Sequence, residues 1–351
     1  MGSKRMAGFI GTLLFESLVA LLLSLGPVAT ASGAETFLVI IAGLGGEDTY
    51  RERFHEWSSS MRRAAIDRAG LAAEQIFYLG EDPALDPEAV YAKSTKENIA
   101  KLFGELQTKV RPGDQLYVML IGHGSYLSEQ SRFNLPGRDL TSTDFAELLR
   151  PFSEQRLVFV NASSASGGFL ADLSGPNRVV VTATKSGFER NESKFGGYFV
   201  EAYASDGADV DKNERVSVLE AFNYAQLNVA RAYEESNTLR TEHAVFDDNG
   251  DGEGVSESSE TDGDAAGVAY LMAEGAAVAG VSADRLAADP ELAALFEQKL
   301  DLEGRVEALK LQKDSMPEEL YMKELESLLV ELALISGKIQ AKQDDTTPES
   351  H

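Results

Sequence analysis

Residues Arg156–Leu170 read RLVFVNASSASGGFL. The run Leu157–Val160 is apolar, rich in valine and aromatics, and too short for a buried helix, so it predicts a buried strand. It stops at Asn161 and passes into Ala162, Ser163, Ser164, Ala165, Ser166, Gly167 and Gly168. Small residues let a backbone turn sharply and let another molecule approach. The carboxyl end of a strand in a parallel sheet is where ligands bind. A serine there is a candidate nucleophile if a base lies nearby.

A base candidate lies upstream. Gln115–Ile121 (QLYVMLI) predicts a second buried strand, and it ends in Gly122-His123-Gly124-Ser125. The chain has four histidines, His55, His123, His243 and His351, and His123 alone follows such a run. If the two strands are neighbours, His123 and Ser164 meet at one sheet edge. The plainer alternative is a small-residue turn that packs against a helix and carries no chemistry. His243, beside Glu242, reads as structural.

The rest of the globular part alternates. Phe37–Ala42 (FLVIIA), Ile76–Leu79 and Arg178–Ala183 (RVVVTA) read as strands. Helices are expected over Arg51–Ala69, from a Ser94 or Thr95 cap to about Val110, from a Ser142 cap to Leu149, and over Phe195–Ala204 and Val216–Glu235. Strands separated by helices imply a mostly parallel sheet covered on both faces, a three-layer α/β/α sandwich. Gly43-Leu44-Gly45-Gly46 follows the first strand but lacks the lysine and the spacing of a phosphate-binding fingerprint.

A strand ending in His-Gly, followed by a strand ending in small residue–Cys–x–Ser–Gly, is the layout of the legumain-like cysteine peptidases and their caspase relatives. From Phe37 to Tyr233 this sequence resembles that family. Ser164-Ala165-Ser166-Gly167 falls on the Cys-x-Ser-Gly motif, His123-Gly124-Ser125 on the His-Gly motif, and Thr49-Tyr50-Arg51 on an Asn-Tyr-Arg segment. The resemblance implies a caspase-like fold. It implies catalytic positions at Ser164 and His123, an oxyanion donor at Gly124, and substrate contacts from Arg51, Ser163, Ser166 and Gly167. Three departures fall at this site. Serine stands at the nucleophile position, Thr49 replaces the family's Asn, and Ala162 replaces its acidic residue. A thiol is partly thiolate at neutral pH and intrinsically nucleophilic, whereas a serine hydroxyl needs a well-oriented general base to react at all, so the departures point to lost or altered peptidase activity.

Composition narrows the setting. The chain has 351 residues, 43% of them hydrophobic, a formal net charge of −25 and no cysteine. That balance disfavours nucleic acid and anionic membrane surfaces as partners and excludes disulfides, thiol catalysis and thiolate metal sites. Lys4 and Arg5, the apolar stretch Ala7–Leu25 and the small residues through Ala34 read as an export signal, which predicts an extracytoplasmic mature chain, periplasmic or secreted. No later run is long enough for a membrane span. Asp209, Asp211, Asn213, Ser217 and Glu220 have the spacing of a Ca²⁺ loop, with Glu214 where the sharp turn wants glycine. The alternative is an acidic loop capping the next helix. Asp247–Glu253 is a half-motif without a closing glutamate, and the acidic run to Asp264 reads as mobile. Leu292, Leu295, Leu302, Val306 and Leu309, interrupted by Lys299, and then Tyr321, Leu325, Leu328, Leu332, Ile335 and Ile339, predict an antiparallel helical hairpin. Ser315-Met316-Pro317-Glu318 reads as the cap between its helices. Leu329 and Leu334 lie off the seam and mark a second face for docking.

The expected layout is a signal at 1–34, a legumain/caspase-like α/β domain at 35–245, an acidic connecting segment at 246–289, the hairpin at 290–342 and a polar tail at 343–351. No cofactor is required by this reading, and Ca²⁺ is the one candidate ion. The leading expectation is a pseudopeptidase that binds protein or peptide in the retained cleft. The alternatives are an active hydrolase using Ser164 with His123 as base, and a scaffold acting through the hairpin. The sequence says nothing of oligomeric state.

Overall fold

The computed structural model describes residues 34–210, 212–259, 262–272, 289–310 and 316–344. The export signal, Asp211, Ser315 and the polar tail beyond Asp344 lie outside the described residues.

Seven strands form the main sheet: β1 (Thr36–Ala42), β2 (Ile76–Gly80), β3 (Val90–Lys93), β4 (Gln115–Ile121), β8 (Arg156–Asn161), β9 (Arg178–Thr182) and β10 (Val245–Asp247). Their order is β10-β9-β8-β4-β1-β2-β3, with only β10 antiparallel to its neighbour. A second, antiparallel sheet follows β4: β5 (Gly124–Leu127), β6 (Gln130–Phe133) and β7 (Leu140–Thr141).

The main sheet is covered on both faces, so β1, β4 and β8 are apolar at almost every position. On one face Leu38, Ile40, Tyr117 and Met119 pack against α1 (Asp48–Asp67), α5 (Phe195–Ala204) and α6 (Val218–Glu235). On the other face Val39, Ile41, Val118 and Leu120 pack against α2 (Lys96–Lys109), α3 (Ser142–Leu149) and α4 (Phe169–Leu173). This is the α/β architecture expected from the alternating runs. The chain winds outward from β1 through β2 and β3, then returns to the other side of β1 with β4. The loops after β1 and β4 therefore diverge at the sheet's switch point, the place where open α/β sheets bind their ligands.

Local chemistry sets the helix starts. Thr95, rather than Ser94, caps α2 and accepts the Asn98 N–H at 3.3 Å. α3 is capped by Thr141, not by Ser142. Asp144 stands three residues on and returns the bond to the Thr141 N–H at 2.9 Å, closing a capping box. Ser217 and Glu220 form the same box at the start of α6, two residues later than expected.

The α/β fold also runs past residue 245. Phe246 and Val255 exchange backbone hydrogen bonds at 2.9 Å, the Val218 N–H donates to the Ala269 carbonyl, and the short helix α7 (Asp264–Gly267) packs on α6. Val255, inside the acidic run read as mobile, is thus paired to the sheet, and the α7 helix that follows the run packs on α6.

α8 (Pro290–Lys310) and α9 (Glu318–Asp344) form the hairpin. Leu292, Phe296, Leu302 and Val306 bury themselves against Leu328, Ile335 and Ile339. Across the antiparallel pair, Lys342 near the end of α9 meets Asp289 and Glu291 at the start of α8, at 3.2 and 2.8 Å. Lys299 does not merely interrupt the stripe. It is buried and pairs with Glu214 at 3.1 Å, while Glu303 pairs with Arg215 at 3.4 Å, so α8 docks on the loop before α6 through charge. Leu329 and Leu334 stay exposed and do not face the α/β domain.

Candidate functional site

β8 ends at Asn161 because that side chain turns the chain. Its Oδ1 accepts the Ser163 N–H at 3.1 Å and the Ser163 hydroxyl at 2.6 Å. Ala165 then adopts left-handed backbone, φ 54°. That conformation is uncommon for a side-chain-bearing residue and persists only where the surroundings hold it. Here the Ala165 N–H is held by the Glu189 carbonyl at 2.7 Å. Ser166 is turned inward: its hydroxyl meets the Thr184 hydroxyl at 3.1 Å and accepts the Thr184 N–H. The Gly167 N–H donates to the Thr184 hydroxyl at 3.1 Å. Ser163 and Ser166 are fully buried, which gives them turn-forming contacts rather than an open surface.

β4 and β8 are neighbours in the sheet, so the two strand-end motifs meet. The close approach is at Gly124. A Cβ there would stand 2.1 Å from the Ser164 carbonyl oxygen, so the position requires glycine. The Ser164 hydroxyl accepts the Gly124 N–H at 3.2 Å and lies 3.2 Å from the Gly124 carbonyl, to which it donates. One residue thus takes the proton of the candidate nucleophile and fills one of its two lone pairs. Among the described residues no hydrogen bond joins Ser164 to His123.

His123 is held by rings instead. Tyr50 and Phe54, both on α1, pack edge-on to the imidazole at centroid distances of 4.6 and 5.0 Å. Burial among them lowers its pKa below the ordinary imidazole value, against the opposing pull of the Glu192 carboxylate. The ring is therefore neutral at pH 7. A neutral imidazole has the right charge for a general base, but a serine responds only to a base in hydrogen-bond reach.

Arg51 lies at the same switch point, on the first turn of α1. Its guanidinium pairs with Glu81 at 3.2 Å and with Asp48 at 2.5 Å, and Glu81 also accepts the Gly45 N–H. These bonds tie Arg51 to the loop after β1. Three acidic residues invisible to motif reading shape the site: Glu189 beside the Ser164 turn, Glu192 beside Tyr50, and Glu242. The buried Glu242 carboxylate accepts the Ser193 hydroxyl at 2.7 Å, the Lys194 N–H at 2.9 Å and the Phe195 N–H at 3.2 Å, capping α5 from a distant loop. His243 bonds to Glu189 through Nδ1 at 2.6 Å, which makes it a structural residue of this edge.

The acidic loops lie elsewhere. Asp209 accepts the Asn213 and Glu214 N–H groups at 3.1 and 3.0 Å, and Asn213 accepts the Arg215 N–H. Glu214, where glycine was wanted, adopts left-handed backbone at φ 65°. Glu220 spends its carboxylate on Val210 N–H and on Ser217. With Asp211 outside the described residues, no group of three or more His, Cys, Asp or Glu side chains is gathered closely enough to hold a metal ion among the rest. Among the described residues no helix is long and apolar enough to cross a membrane. The chain matches no protein-family model and no curated protein.

Proposed function

We propose that this chain is an exported pseudopeptidase with a legumain-like, caspase-like fold, and that it binds protein or peptide in the crevice between β1, β4 and β8. Support for the family reading is the placement of His123-Gly124 and Ser164-Ala165-Ser166-Gly167 at the ends of adjacent parallel strands. The observation that carries the inactive reading is the pairing of the Ser164 hydroxyl with both polar groups of Gly124. The hydroxyl proton is directed at the Gly124 carbonyl and not at His123, so no base stands where it could take that proton as the oxygen attacks. The Gly124 N–H, the candidate oxyanion donor, is spent on the same contact.

The test compares wild type, Ser164→Ala and Ser164→Cys with a serine-directed fluorophosphonate and with peptides carrying Asn or Asp at the scissile position. Wild type is expected to resist the probe and to leave the peptides intact while still binding them. Wild-type cleavage that disappears in Ser164→Ala overturns the reading in favour of a serine hydrolase.

A further inference from the structure

The segment Lys185–Lys194, between β9 and α5, crosses the Ser164 turn. Gly167 lies so close beneath it that a Cβ would stand 2.2 Å from Ser186 N. The Glu189 carbonyl takes the Ala165 N–H. On the other side of Ser164 the segment meets β5. A Cβ on Gly187 would stand 2.2 Å from the Tyr126 ring, and the Phe188 ring packs on Tyr126 at 5.0 Å. Farther along, Glu192 pairs with Arg53 and accepts the Tyr50 hydroxyl at 3.1 Å, beside His123. The segment therefore touches both walls of the crevice, and Ser164 is 3% exposed.

Its fixings are unequal. The far end is held by Glu242, which also caps α5. In the middle, beside the contacts of Phe188 and Glu192, the part-buried polar fixing is Glu189: its carboxylate accepts the His243 Nδ1–H at 2.6 Å, the His243 N–H at 3.1 Å and the Lys185 N–H at 3.1 Å. Next to the Glu189 fixing, the tip leaves Phe188 73% exposed.

We infer that Lys185–Lys194 is a strap that closes the crevice from within the chain, and that the Glu189–His243 pair is its latch. The inference rests on the reading of the Ser164–His123 crevice as the binding site and adds its regulation. An incoming peptide has to displace the strap. What it then meets is the outer edge of β5, where Ser164 holds the Gly124 groups and the Tyr126 groups are left for a ligand. The Gly124 N–H and C=O point off that edge toward Ser164, and the two-residue period of a strand turns those of Tyr126 the same way. An extended backbone is the ligand chemistry that fits.

The absence of cysteine makes the strap testable. Ser164→Cys places a single thiol beneath it, and the rate of iodoacetamide alkylation reads how often the strap opens. Removing the latch in Ser164→Cys/Glu189→Gln and Ser164→Cys/His243→Ala is expected to raise that rate roughly tenfold or more, since each loses a hydrogen bond to a charged group. Circular dichroism and melting confirm that the variants are folded. In chains that retain Ser164, amide exchange of the Ala165 N–H is expected to accelerate in Glu189→Gln and in His243→Ala. Alkylation within twofold of the latched protein, or an Ala165 amide equally protected in all chains, overturns the strap. Peptide cleavage by wild type overturns the pseudopeptidase reading alone, because alkylation measures cover and not turnover.

Discussion

Replacing Glu242 with alanine removes the cap of a helix that its own sequence leaves bare. Lys194 precedes α5 and makes no side-chain cap bond. Glu242, 49 residues away from Ser193 in the chain, supplies the acceptors instead. The substitution leaves the buried Ser193 hydroxyl without its acceptor, while the Phe195 N–H keeps only the Ser193 oxygen at 3.3 Å and the half-buried Lys194 recovers water at its N–H. One orphaned buried donor at about 2 kcal/mol and the lost charged bond to the Phe195 N–H at about 1 kcal/mol give a loss of about 3 kcal/mol. Glu242→Gln keeps one acceptor and loses the charge at the helix N-terminus, so its loss is about half as large, about 1–2 kcal/mol. Equilibrium urea unfolding, followed by far-UV circular dichroism, measures both. The order alanine worse than glutamine is as much a part of the prediction as the size. A Glu242→Ala protein within about 0.5 kcal/mol of wild type, the range of an ordinary surface substitution, would refute the reasoning.

Three further outcomes are expected. Glu220→Ala should cost about 1–2 kcal/mol in chelator-containing buffer, because Glu220 completes a capping box and holds the Val210 N–H; a loss seen only with calcium would assign the residue to ligation instead. Glu303→Ala removes a buried charge that pairs with Arg215 and Lys299, and should free the hairpin for limited proteolysis at a cost of about 3 kcal/mol; unchanged cleavage would show that the apolar seam alone holds it. His123 has its folded pKa lowered from the usual 6.5 by burial. The unfolded chain therefore takes up the proton first, and stability should fall as pH drops through 6.5 toward the folded value. His123→Gln should flatten that part of the pH–stability profile, and an unaltered slope would place the effect in other groups.

The main strands and most helices were legible in the residues because their signals are local. A run such as Leu116–Ile121 can satisfy its backbone and its apolar side chains together only inside a covered sheet. Caps three residues from their partners are local too, although Thr141 outcompeted Ser142 because Asp144 answers it. The second sheet was not legible. β5 and β6 are short and partly polar, and their turn is Ser128-Glu129, both at positive φ, with neither the asparagine nor the glycine that usually announces such a hairpin. β10 has three residues, too few for a period.

For the site, the sequence determined which residues stand at the strand ends: His123-Gly124 after one buried run and the small-residue turn with Ser164 after another. Adjacency of β4 and β8 brought them to one edge, and only the tertiary structure decided what they do there. The Ser164 hydroxyl faces Gly124, 40 residues away; Glu189 meets His243 across 54; Lys299 meets Glu214 across 85. The strength of each contact depends on a distance of a few tenths of an ångström, and no spacing along the chain encodes it. The period of a strand is a property of its own backbone, whereas the partner of a buried hydroxyl or carboxylate is chosen by whichever distant loop folds against it.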